Sequence, residues 1–432
     1  MASPQSSELT TSPDGQPPRR AMFIVFLVVF IDLLGFGIVL PILPRIAEQY
    51  LPKDWSPVLQ GISIAVLYSA FSAMQFLFSP MWGRLSDRIG RKPVLTIGLA
   101  GSVVFYALFG LAADLPAGVS TTVGLVLILI ARAGAGIAGA TIAVAQAVIA
   151  DCTTPEKRSR GMALIGAAFG IGFTFGPLLA FAALEIMPNL QGGVGYIASG
   201  LSLIALIACI RLLPETRMPG APSAARHGLN MGRLTATLNT PGIGLLVLIF
   251  FLATFAFATF EATLSLLTKR FGYTDKRNFL VFAFIGFALV IANGVYRSIA
   301  KRSPERALLR MGVLLMLAGL GGLAYVASQV TSETSTPSEW LFYVTLAISV
   351  CGFAFMTPSV QSLISRRSDA DRQGEVLGIN QSFAALARIL GPMIGLIIFP
   401  LTAAPLLPYA MAAGLLGIAG ILTLRLPAVE RN

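Results

Sequence analysis

The sequence predicts an all-α membrane protein of twelve transmembrane helices arranged as two pseudo-symmetric six-helix bundles. Three observations predict it: the apolar balance, the length and number of the apolar runs, and a plan stated twice along the chain. Of 432 residues, 55% are hydrophobic and only 12% charged. Soluble domains carry about a quarter charged residues and about half apolar ones. The apolar total matches the roughly 240 positions that twelve spans of about 20 residues require. A disordered chain has the opposite balance. A membrane β-barrel alternates apolar and polar residues, whereas these runs are continuous.

The runs lie near 21–44, 57–82, 93–113, 121–149, 161–186, 193–213, 242–268, 279–297, 307–328, 339–363, 378–400 and 405–425. At 1.5 Å per residue each is long enough for about 30 Å of hydrocarbon. A lone segment in lipid satisfies its own backbone only as a helix. An even number of spans returns the C-terminus to the side of the N-terminus. If that side is cytoplasmic, 23 of the 31 Lys and Arg fall in inner segments and 6 in outer ones, with Arg132 and Arg388 inside spans. This asymmetry is the positive-inside pattern. It accounts for most of the net charge of +11 without any nucleic acid. The expected arrangement is multi-pass, with both termini cytoplasmic.

The duplicated plan sets the domains. Gly176-Pro177 in the fifth run returns as Gly391-Pro392 in the eleventh, each after a polar, charged inner loop. The loops after runs two and eight are both basic. Such internal duplication marks transporter folds built from repeats. The expected division is a disordered cytoplasmic tail (1–20), an N-terminal bundle (21–213), a cytoplasmic linker (214–241) and a C-terminal bundle (242–432). The tail lacks the order of a signal peptide, in which a basic region precedes a short apolar run. Cys152, Cys209 and Cys351 are widely separated and His227 is the lone histidine. That excludes a disulfide framework or a His-ligated metal, and no cofactor is expected. Gly134, Gly136 and Gly139 spell a dinucleotide motif by letters. They lie inside an apolar run with no preceding strand, so they are read as small residues that let helices pack closely.

The chemistry concentrates in charges that oil should exclude. A charge at mid-bilayer costs about 2.5–3.5 kcal/mol on insertion scales. Asp32 lies eleven residues into the first run, about 16 Å deep, and Arg132 is equally deep in the fourth. Arg388 lies about 15 Å into the eleventh. Asp32 and Arg132 are either a pair that locks helices together or a proton-coupling site. An apolar setting favours a protonated Asp32, and a neighbouring arginine favours the ionised form. Glu261, Gln60, Gln146, Asn380, Gln381 and Arg388 are candidates for a substrate cavity, with Asn380, Ala384 and Arg388 at i, i+4 and i+8. Gly172, Gly176, Pro177, Gly391 and Pro392 suit tight packing, a hinge, or both.

The inner loop after run two reads Gly83-Arg84-Leu85-Ser86-Asp87-Arg88-Ile89-Gly90-Arg91-Lys92. Gly83 and Gly90 are expected to let the helix end and turn sharply. Asp87 is expected to receive a helix N-terminus or to pair with an arginine. This segment resembles the signature loop of the major facilitator superfamily, G-x-x-x-D-R/K-x-G-R-R/K, at every defined position. Leu34-Gly35 followed by Pro41-Ile42-Leu43-Pro44 is similar to the first-span motif of twelve-span drug/proton antiporters. Leu129-Ile130-Ala131-Arg132 with Gly136 resembles their fourth-span motif, and Gly172 to Pro177 their fifth-span motif. Asp32-Leu-Leu-Gly-Phe-Gly is closest in flavour to the tetracycline-efflux-like branch. The resemblance implies the major facilitator fold. It implies a gating role for Gly83, Asp87, Arg88, Gly90, Arg91 and Lys92, and proton coupling through Asp32 and Arg132.

The expected function is export of a small organic compound, drug-like and tetracycline-like in the nearest case, in exchange for protons by alternating access. The protein is not expected to be an enzyme. No span offers a nucleophile, a base and an orienting acid together. Its partners are the organic substrate, protons and the lipid bilayer, with no nucleic acid, and a monomer is expected. Two alternatives stand beside this: an organic-anion exchanger or uniporter, prompted by Arg132 and Arg388, and a non-transporting receptor or scaffold.

Overall fold

A computed structural model describes residues 19–115, 120–152, 168, 171–172, 175–188, 190–217, 235, 237–240, 242–330, 338–368 and 373–427. Most of the expected tail and most of the expected linker therefore lie outside the described residues, and the last two residues of the expected tail, Arg19 and Arg20, instead open α1. Among the described residues the structure is helical, with no strand. The helices are α1 (Arg19–Val39), α2 (Leu43–Tyr50), α3 (Pro57–Ile89), α4 (Arg91–Ala113), α5 (Thr121–Ala138), α6 (Ile142–Asp151), α7 (Phe175–Ile186) and α8 (Gly193–Leu212). They continue as α9 (Ile243–Arg270), α10 (Asp275–Ile299), α11 (Glu305–Ser328), α12 (Glu339–Arg367), α13 (Gln373–Ile398) and α14 (Leu407–Leu424).

Among the described residues, ten spans are long and apolar enough to cross a bilayer. The expected first run is α1 with the turn that follows it, and the described part of the expected fifth run includes α7.

Local chemistry explains where the helices start and stop. The first run was expected to extend to residue 44, but α1 ends at Val39 and α2 begins at Leu43. Pro41 lacks the N–H that the next helical hydrogen bond would need, and the chain turns over residues 40–42. Ser56 caps α3 by accepting from Leu59 N at 3.3 Å, with Pro57 at the first position. Thr274 accepts from Arg277 N at 3.4 Å to open α10. The fourth run is not one regular helix. A 3₁₀ turn over Gly139–Thr141 separates α5 from α6. Gly83 does not end a helix either: α3 runs through it to Ile89, and Gly90 alone makes the turn, at φ 105°. Only glycine adopts that conformation without strain.

Small residues hold the bundle together, as expected in lipid, where apolar burial gives helices no preference for one another. A Cβ added at Gly136 would meet the Phe71 carbonyl at 2.3 Å, and one at Gly134 the Phe105 ring at 2.2 Å. Two of the three dinucleotide-like glycines, Gly134 and Gly136, are thus packing positions. Gly176 backs onto Gly37 of α1, where a Cβ would come within 2.8 Å of backbone carbon. Gly391 of α13 does the same against α9, 2.7 Å from the Phe255 carbonyl, and Thr259 Oγ1 donates to the Gly391 carbonyl at 3.1 Å. The duplicated Gly-Pro pairs therefore make equivalent crossings. The two halves meet where α3 runs antiparallel to α13: Ser69 Oγ donates to the Ile389 carbonyl at 3.0 Å, and Gly61 lies beneath the Leu396 carbonyl.

Candidate translocation site and gate

Ionisable groups from both halves converge along the α3–α13 and α9–α13 contacts. Arg132 of α5 is 1% exposed, and its guanidinium lies 4.9 Å from the centre of the Phe71 ring on α3. Tyr68, one turn before Phe71, is buried and lies within electrostatic reach of both Arg132 and Glu261. Its hydroxyl has no hydrogen-bond partner among the described residues. Glu261 of α9 is half-buried and Arg388 of α13 is exposed, and each feels the other's charge. Tyr68 thus feels charge from both halves, from the arginine of one and the carboxylate of the other. The side chain of Asp32 lies outside those described; its backbone is within α1, five residues before the Gly37 crossing.

The other candidates separate. Gln381 and Arg388 are both exposed, seven residues apart, and so share one face of α13. Asn380 and Ala384 are fully buried and do not share the exposed face with Arg388. Neither amide atom of Asn380 has a hydrogen-bond partner among the described residues. Gln146 of α6 is exposed. Gln60 lies in the first turn of α3, where its amide donates to the Pro52 and Trp55 carbonyls at 3.2 Å each. It staples the preceding loop.

One end of the bundle is sealed by a network whose partners lie too far apart in sequence for the spacing of motifs to reveal. Arg45 of α2 is 6% exposed. Its Nη1 pairs with Asp275 Oδ1 at 2.6 Å and donates to the Tyr273 carbonyl at 3.0 Å, and its Nη2 donates to Thr268 Oγ1 at 3.0 Å. The Thr268 hydroxyl bonds Asn278 Oδ1 at 2.6 Å, while Asn278 Nδ2 donates to the Pro41 carbonyl at 2.8 Å. Ser265 Oγ also donates to that carbonyl, at 2.6 Å. Lys269 pairs with Glu48, and Lys276 with Glu185 at 2.7 Å. Every one of these bonds except the Thr268–Asn278 link joins a group at the turn after α1, on α2 or on α7 to one on α9, on α10 or at the junction between them. Together they tie the first half to the second.

At the opposite end, Arg91 organises the signature loop. It pairs with Asp87 at 2.5 Å and Asp151 at 3.1 Å, and donates to Ser86 Oγ at 2.7 Å. Of the two expectations for Asp87, the arginine pair is the one observed. The N-terminus of α4 is capped instead by Glu215, whose carboxylate accepts from Arg91 N at 2.9 Å and Lys92 N at 3.1 Å. A Cβ at Gly90 would come within 2.4 Å of that carboxylate. Sequence reading missed Ser86, Asp151 and Glu215, although the last sits in a polar Pro-Glu-Thr-Arg break directly after an apolar run.

A many-helix membrane bundle with charges at its waist, Arg132 fully buried among them, and a tied gate at one end defines a membrane transporter rather than an enzyme. The family model described as Major Facilitator Superfamily matches residues 25–392. The chain belongs to this superfamily, in its tetracycline-efflux-like branch. It is 28% identical over 383 residues to the class E tetracycline resistance protein of Escherichia coli, covering 87% of each chain. It is 27% identical over 428 residues to mouse major facilitator superfamily domain-containing protein 10, covering 89% of this chain and 88% of that one. The crystal structure of the human organic anion transporter MFSD10 (TETRAN) superposes with a TM-score of 0.66 at 25% identity, over 94% of this chain and all of that one. A D-xylose-proton symporter, at 14% identity and a TM-score of 0.74 over 94% of this chain and 98% of that one, shares the fold.

Proposed function

We propose that the protein exports a small organic compound in exchange for protons, with Asp32 as the proton carrier and Arg132 as its charge partner. The observation that carries this reading is the set of mid-span charges Arg132, Glu261 and Arg388 on helices of both halves, beside a gate tied shut at one end. Buried charges in a membrane span are expensive and so mark an ion or substrate path. Similarity to tetracycline resistance proteins supports efflux. In this reading the gate around Arg45 faces outside, the signature loop faces the cytoplasm, both termini are cytoplasmic, and the chain works as a monomer in the inner membrane. The expected halves, 21–213 and 242–432, rock about the charged waist with the Gly-Pro crossings as pivots. One charge moving down 100 mV supplies about 2.3 kcal/mol, enough for roughly a fifty-fold substrate gradient.

The test is proton-driven uptake by everted vesicles or proteoliposomes containing wild type or Asp32→Asn. Uphill transport is lost in the variant while downhill exchange and membrane insertion persist. Undiminished proton-driven accumulation by the purified variant overturns the reading.

Transport of an organic anion is a second reading, favoured by the exposed Arg388 and by similarity to a human protein described as an organic anion transporter. Electrogenicity and pH dependence in the same liposomes separate the two.

A further inference from the structure

The signature loop holds two arginines that its own network does not use. Arg91 is committed to Asp87, Asp151 and Ser86. Arg84 and Arg88 are exposed and make no ion pair or hydrogen bond with any described residue. They stand four apart near the end of α3, on the same face as Met81 and Leu85. With Trp82 and with Ile137 of α5 these residues line an open groove of about 420 Å³. One side of the groove is tied together, because Trp82 Nε1 donates to the Ile137 carbonyl at 2.7 Å. Its floor is apolar and its rim is cationic. Met81 is 51% exposed, so the floor is open to an occupant.

We infer that this groove binds one anionic phospholipid of the leaflet that the loop faces. The phosphate lies between the guanidiniums of Arg84 and Arg88, and an acyl chain lies along Met81, Trp82, Leu85 and Ile137. Two like charges four residues apart on a helix repel each other, and an anion between them removes that repulsion. Guanidinium groups match phosphate oxygens with two donors each. A free inorganic ion would leave the apolar floor uncovered, whereas a lipid satisfies both parts of the groove. Basic pockets at the membrane surface recognise anionic head groups in this way. The inference depends on the chain spanning a membrane and not on which substrate it carries.

The experiment uses the full chain in nanodiscs of mixed phosphatidylcholine and phosphatidylglycerol. Native mass spectrometry then reads the lipid retained by each variant. Wild type retains phosphatidylglycerol in preference to phosphatidylcholine. Arg84→Gln lowers that preference about five-fold, and Arg84→Gln with Arg88→Gln about twenty-five-fold, since each surface cation contributes about one factor of five. Met81→Trp, which fills the groove and leaves both arginines, lowers phosphatidylglycerol retention. Arg211→Gln, an exposed arginine elsewhere, leaves it unchanged. No preference in wild type, an undiminished preference in Arg84→Gln, an equal loss in Arg211→Gln, or displacement by inorganic phosphate would each overturn the inference.

Discussion

Arg45 and Asp275 are 230 positions apart in sequence and 2.6 Å apart in space. The arginine is nearly buried and the aspartate half-exposed, so the pair joins the interior of the gate to its rim. Losing a buried, charge-assisted partner costs about 1–3 kcal/mol, which corresponds to roughly five- to 150-fold in an equilibrium. Arg45→Gln is therefore expected to shift the protein toward the state in which this end is open. Spin labels at Lys53→Cys and Arg270→Cys, both exposed, would show a longer distance component in pulsed dipolar spectra. An unchanged distance distribution would mean that Arg45 does not hold the gate.

Asn278 is the second limb of the same tie. Its amide reaches the Pro41 carbonyl, and its carbonyl oxygen meets the Thr268 hydroxyl that Arg45 also engages. Residues that share a partner couple non-additively, by about 0.5–3 kcal/mol. Asn278→Ala alone is expected to open the gate less than Arg45→Gln, and the double variant to open it less than the product of the two. Strict additivity in the label populations would show two independent contacts.

The gate was the part of the molecule least legible in the sequence. Arg45 and Lys269 were visible only as cations in outer segments, because their partners lie more than 200 positions away and no spacing rule connects them. Hydropathy also carried the first run past Pro41, since an apolar average does not register a missing N–H. The packing was more legible. Gly176-Pro177 and Gly391-Pro392 stood out as a repeat, and both sit at close backbone crossings. The signature loop was legible as a motif, but its cap was not: Glu215 reaches back 124 positions to the Arg91 amide. On α13, one residue of helical rotation separates Gln381, which shares an exposed face with Arg388, from buried Asn380.

Those crossings give a prediction about stability. A methyl at Gly391 or Gly176 would press on backbone atoms, which move less readily than a side-chain tip. Overpacking of this kind costs about 1–3 kcal/mol. Gly391→Ala and Gly176→Ala are expected to lower the thermal midpoint of the purified protein. Gly294→Ala, with nothing within 4 Å of the new methyl, is expected to leave it unchanged or raise it. A Gly294→Ala loss as large as the others would remove close approach as the explanation.

Arg91 tests whether geometry or charge matters in the loop. Its Nη1 serves Asp87 and Ser86 while its Nε serves Asp151. A lysine keeps the charge and loses the planar fork. Arg91→Lys is expected to reduce transport nearly as much as Arg91→Gln. Full activity in the lysine variant would show that charge alone suffices.

Arg388 separates the two readings of the transported compound. It is exposed on a face shared with Gln381, and the charge it feels within the bundle is that of Glu261. If it receives an anionic group of the substrate, Arg388→Gln removes a charge-assisted hydrogen bond, worth about 1.5–3 kcal/mol or roughly ten- to 150-fold in affinity. An anionic substrate then loses that much apparent affinity, and a cationic dye loses little. If Arg388 instead restrains Glu261, the same variant frees a carboxylate. Affinity for cations then rises and proton coupling changes, and Glu261→Gln combined with Arg388→Gln restores the original coupling. Substrate competition measured with one anionic and one cationic compound, in wild type and both variants, distinguishes the outcomes. Equal losses for both compounds would mean that Arg388 shapes the helix packing and contacts neither the substrate nor Glu261.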